Sequence, residues 1–112
     1  MAVHTRGYVS SEVSEQDVKK TIESELNTVV TATEYESNSY KLIFIHGGED
    51  RILHVHVDLD DLPQRFGKER RTILSIIHRE NSVEIMTAIM KHFGGELCLN
   101  DIRDEWIVVE KQ

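Results

Sequence analysis

The strongest constraint on the fold is a pair of alternating runs, residues 40–46 and 51–58, separated by Gly47-Gly48-Glu49-Asp50. In an extended chain successive side chains point to opposite faces, so each run builds a strand with one apolar side. The four intervening residues have hairpin length and open with two glycines. Pairing His46 with Arg51 puts Leu42 and Phe44 on one face with Leu53, Val55 and Val57. Lys41, Ile43, Ile45, Ile52, His54 and His56 then share the opposite face, with Lys41 opposite His56. A hairpin with one apolar face needs a second layer to cover it.

Two amphipathic segments supply that layer. The first runs from about 14 to 26. Ser14 stands as its N-cap, Asp17 sits at the third helical position, and Val13 and Val18 flank the cap as a hydrophobic staple. Val18, Ile22 and Leu26 recur every four residues and form a narrow apolar stripe. The second runs over 82–93, with Asn81 and Glu84 as the capping pair and Gly94 ending it in the left-handed conformation. Its apolar face is Ile85, Met86, Ile89, Met90 and Phe93, while Glu84, Thr87 and Lys91 point away.

Further strands follow from β-branched enrichment. Residues 28–36 form one, closed by the turn signal Ser37-Asn38-Ser39. The run 72–77 carries too many β-branched residues for a comfortable helix and is assigned to a strand over 70–78, with helix as the alternative. Residues 96–100 and 105–110 close the chain as a hairpin. The last strand is apolar on both sides at Trp106, Ile107, Val108 and Val109, which suits a central strand or one covering an interface. Strand 72–78, helix 82–93 and strand 96–100 are read as a right-handed parallel crossover. The prediction is an α+β fold of order α-β-β-β-β-α-β-β. Its mainly antiparallel sheet has five to six strands, with two helices on one face. Residues 1–112 form a single domain, and residues 1–12 are read as a loose N-terminal segment.

Composition narrows the function classes. The net charge of −7 repels nucleic acid and anionic lipid over most of the surface. No apolar run approaches the roughly 18 residues needed to span a membrane. The lone Cys98 lies among apolar neighbours and reads as a packed thiol. A free thiol with no export signal predicts a reducing, cytoplasmic setting. Gly47-Gly48 and Gly94-Gly95 lack the spacing, and the following Lys-Ser/Thr, of a phosphate loop.

Four constellations remain. His54, His56 and Asp58 alternate on one strand face and are suitable metal ligands, with Asp60, Asp61, His46 or His78 needed to complete a site. The spacing is similar to the metallo-β-lactamase His-x-His-x-Asp-His motif, but Leu59 and the chain length exclude that family. Against the metal reading stands a simple polar strand face. Lys68, Arg70 and Arg71 form a basic band that suits phosphates or an acidic partner, without a recognisable nucleic-acid module. Glu12, Glu15, Glu23, Glu25, Glu34 and Glu36 form an acidic side, whose bland alternative is a solvated helix face. His92 borders the second helix's apolar face with no Ser/Cys–His–acid set around it.

No set fixes a reaction or a cofactor. The leading expectation is a noncatalytic module, of the inhibitor, immunity or phage host-takeover kind, that occludes a basic protein surface through those six glutamates. A metal protein using His54, His56 and Asp58 is the first alternative, and a homodimer or larger homo-oligomer the second.

Overall fold

A computed structural model of the protein describes residues 4–9, 13–57, 72–77, 81–98 and 106–112. Its elements run β1 (His4–Val9), α1 (Glu15–Leu26), β2 (Thr31–Glu36), β3 (Ser39–His46), β4 (Glu49–Val57), β5 (Thr72–Ile77), α2 (Ser82–Met90), β6 (Gly95–Cys98) and β7 (Trp106–Val109). The strands form one seven-stranded sheet of order β2-β3-β4-β5-β1-β6-β7. Every neighbouring pair is antiparallel. The α+β class stands, with one strand more than expected.

The added strand is β1, in the segment read as loose. It lies inside the sheet, pairing His4–Val9 with β5 and Arg6–Val9 with β6. Its helix-facing positions are Thr5, Gly7 and Val9, of which only valine carries an apolar signal. Gly7 is there for space: a Cβ would meet Met90 Sδ at 2.7 Å. β1 runs antiparallel to both β5 and β6, so those two are parallel to each other with β1 between them. The expected crossover is therefore split by a strand from the other end of the chain.

The central hairpin is tighter than expected. Gly47 and Gly48, at φ 64° and 76°, make a two-residue turn, and Glu49 and Asp50 join β4. Positive φ at both central positions matches the right-handed twist of the strands and suits glycine. His46 consequently pairs with Glu49, a two-residue displacement that preserves the faces but moves Lys41 opposite His54.

Both helices cover one face. Val18 and Ile22 of α1 and Ile85, Met86, Ile89 and Met90 of α2 are buried against Leu42, Phe44, Leu53, Val55, Leu74, Ile76 and Leu97. α1 opens with the predicted capping box: Asp17 N–H donates to Ser14 Oγ at 3.2 Å, and Ser14 N–H donates to the Asp17 carboxylate at 3.3 Å. Thr72 anchors that entry, accepting from Val13 N–H at 3.1 Å and donating to the Val13 carbonyl at 3.0 Å. α2 departs from its predicted start. Asn81 is left-handed at φ 70° and makes no side-chain cap, while the buried Ser82 hydroxyl donates to the Ile77 carbonyl. The helix ends at Met90, and Gly94 closes the following turn with its N–H on the Met90 carbonyl. β7 is an edge strand, with Ile107 and Val108 exposed and Val109 in the core.

Candidate functional site

The face away from the helices gathers the polar chemistry. Register sets the row: Thr33 lies beside Lys41, Lys41 beside His54, His54 beside Ser75, and Ser75 beside Arg6. In the next row Ser39 pairs with His56, and His56 with Ile73. His54 and His56 stack nearly parallel, their centroids 6.5 Å apart and their planes 12° apart. Tyr35 of β2 stands edge-on to both rings. Its hydroxyl lies 3.4 Å from His54 Nδ1, and Lys41 Nζ sits 5.2 Å from the centre of its ring. Ser39 Oγ is 2.9 Å from His56 Nδ1.

The electrostatics follow from this packing. His54 is held below its ordinary pKa, first by desolvation and then by the cationic forms of His56, Lys41 and His4. His56 is lowered by desolvation, against which the Glu36 carboxylate raises it. Both rings sit half-buried.

As metal ligands the two histidines are incomplete here. Asp58, Asp60, Asp61 and His78 lie outside the described residues, and among those described no group of three or more His, Cys, Asp or Glu could hold a metal ion. Lys41 beside His54 further opposes a cation. Lys68, Arg70 and Arg71 also lie outside the described residues.

The acidic candidates divide by location. Glu12 lies outside the described residues. Two of the others hold the fold: Glu23 accepts from Val30 N–H at 3.2 Å, and Glu25 Oε1 is 2.6 Å from His92 Nε2, linking α1 to the end of α2. Glu15 and Glu34 converge on Tyr40. The Tyr40 hydroxyl donates to Glu34, and that bond, desolvation and the nearby Glu15 charge all raise its pKa. Glu34 and Glu36 belong to β2, whose other neighbour in the sheet, among the described residues, is absent. Glu34 stands on the Tyr40 side of this edge strand, with Glu15 near it, and Glu36 on the His56 side.

Sequence reasoning missed Tyr35, Ser39 and Tyr40, whose roles depend on strand register. It also missed the Glu25–His92 link, because residues 67 positions apart carry no local signal of contact. The open face is apolar toward the hairpin turn, where Ile43, Ile45, Ile52 and Ile77 are exposed. A groove of about 430 Å³ beside them is lined by Thr28, Val29, Thr31, Ile43, Ile45 and Asp50 among others. Cys98, the single cysteine of the chain, is buried and forms no internal disulfide. No described helix is long and apolar enough to cross a membrane. Comparison with known protein families, curated proteins and solved structures finds no match.

Proposed function

We propose that the protein is a noncatalytic binding module that receives a basic, extended protein segment along β2. The observation that carries this reading is the pair Glu34 and Glu36 on β2, a strand whose outer edge is open among the described residues, with Glu15 adding its charge near Glu34 at Tyr40. Open backbone groups give an incoming strand its hydrogen bonds, and the carboxylates select lysine- or arginine-bearing sequences. β2 itself is exposed, apart from the partly buried Ala32, so its surface is accessible along its length. Occlusion of a basic site on the partner is the mode of action, and the net charge of −7 accelerates encounter. Glu23 and Glu25 leave the proposed surface, because their carboxylates bond Val30 and His92 away from the β2 edge, whereas Glu34, which accepts from Tyr40, stands on β2 itself.

A second reading is favoured by the exposed Ile43, Ile45, Ile52 and Ile77: association of two copies through the open face. One experiment addresses both. Labelled protein is titrated with a ten-residue peptide of alternating lysine and threonine, with light scattering on the same samples. The module reading expects saturable amide shifts along β2, affinity that falls as salt rises, and weakening in the Glu34→Gln/Glu36→Gln variant. Shifts elsewhere, or salt-independent binding, overturn it. A dimer in the absence of peptide supports the second reading, and a monomer at high concentration rejects it.

A further inference from the structure

We propose that the open sheet face between β2 and β5 is a binding site for a phosphate-type oxyanion, inorganic phosphate or a phosphate monoester, held by His54, His56 and Lys41. A neighbouring hydroxyl stands beside each of the two rings. Ser39 Oγ at 2.9 Å from His56 Nδ1, and Tyr35 Oη at 3.4 Å from His54 Nδ1, occupy the same nitrogen of each ring. A hydroxyl that donates to Nδ1 selects the neutral tautomer with its proton on Nε2, and a doubly protonated ring keeps that Nε2 proton whichever role the hydroxyl takes. In that tautomer the stacked pair offers two N–H donors, and protonation leaves those donors in place while adding charge.

The surrounding charges decide what those donors receive. From β3, Lys41 stands in register with His54; from β1, His4 adds a third like charge to its field. Arg6 of β1 lies two strands away in the Lys41–His54 row, across the uncharged Ser75 of β5. From β2 the facing groups are Tyr35, whose ring Lys41 covers, and Glu36, among the described residues the one carboxylate acting on His56. Among the described residues, Lys41, His4 and Arg6 stand against the single carboxylate of Glu36 around the pair, inside a molecule that is acidic as a whole. Metal binding would add another positive charge to that field. An oxyanion relieves it, and a tetrahedral group with several acceptor oxygens matches donors arriving from two rings and an ammonium. A phosphate dianion gains more from this field than a monovalent carboxylate does.

The test is a titration of the intact protein near pH 6.5, followed through the ring signals of the histidines, with His54→Gln and His56→Gln assigning them. Separate arms use inorganic phosphate, methyl phosphate, acetate and chloride at matched ionic strength, and zinc chloride alone. Saturable shifts of both rings with phosphate or methyl phosphate, and none with acetate or chloride, are expected. Response to methyl phosphate alone assigns the site to monoesters; response to both leaves free phosphate as a ligand. Removing one charge-assisted contact in Lys41→Met should raise half-saturation by about tenfold or more. Lys91→Met, which deletes an equal charge on the opposite side of the sheet, should leave it unchanged. Glu36→Gln should tighten binding. Linear shifts, equal shifts with chloride, equal loss in both lysine variants, or saturation with zinc alone would each overturn the assignment. Should Lys41→Met fail to fold, Lys41→Gln makes the same measurement. Glu36→Gln is expected to tighten phosphate binding, whereas loss of the β2 carboxylates is expected to weaken the peptide, so failure of either reading is distinguishable from failure of the other.

Discussion

At the scale of single residues, the two histidines show how far an alternating pattern can be trusted. Their spacing alone placed His54 and His56 on one side of a strand, and that side is where they stand. Their partners were less legible: two-residue alternation survives the tighter turn at Gly47-Gly48, but the identity of the residue opposite does not. Lys41 faces His54 for that reason. The pairing has a pH consequence. Both rings are held below their ordinary pKa in the folded protein, so the unfolded chain binds more protons between the folded values and about 6.5. Stability is full above 6.5 and declines as pH falls through that window, levelling below the folded pKa values. The thermal midpoint should drop from pH 7 to pH 5.5, and the His54→Gln/His56→Gln variant should lose part of that slope. A variant with an unchanged slope would show that the histidines titrate alike in folded and unfolded chains.

Elements were legible where local chemistry fixed them and obscure where distant packing did. Ser14 and Asp17 declared α1, and the β-branched run declared β5 against the helical alternative. Asn81 carried the right residue type for a cap but took a left-handed turn instead, because Ser82 is buried and bonded to the end of β5. β1 was hidden because its inward positions are shaped by α2 and β6: small at Gly7 beneath Met86 and Met90, polar at Thr5. β1 and β6 approach closely at Gly95, where φ is 150° and a Cβ would fall 2.1 Å from the Tyr8 carbonyl oxygen. That obstacle is backbone, so it cannot rotate away. Gly95→Ala should destabilise by about 3 kcal/mol or more, combining backbone strain with forced separation of two strands. Gly48→Ala is the control, since φ is +76° but nothing lies within 4 Å of the added carbon. It should cost about 1–2 kcal/mol, the left-handed penalty alone. Denaturant unfolding of the two variants measures the difference, and equal losses would place the cost in dihedral strain rather than contact.

At the scale of the molecule, the order β2-β3-β4-β5-β1-β6-β7 makes the start of the chain the keystone of its sheet. Four strands lie on one side of β1 and two on the other, and among the described residues β1 alone joins them through backbone hydrogen bonds. Pairing His4 with Ile77 also closes most of the chain into one loop, so this contact belongs late in folding and slows it. No window of sequence could reveal such a role, because a strand's place in a sheet is set by partners that the local pattern does not name. Deleting residues 1–9 should leave β5 and β6 about 10 Å apart, two strand spacings, with no element between them. The buried faces of Leu74, Ile76 and Leu97, and of Met86 and Met90 above them, would lose the strand they pack on. The truncated chain should therefore show no cooperative thermal transition, whereas a loose terminus could be removed with little effect. A synthetic peptide of residues 1–12 added in trans should restore the transition in proportion to its concentration, since it refills a strand slot bordered on both sides. An unchanged melting curve for the truncated chain, with no response to the peptide, would mean that β5 and β6 need no strand between them.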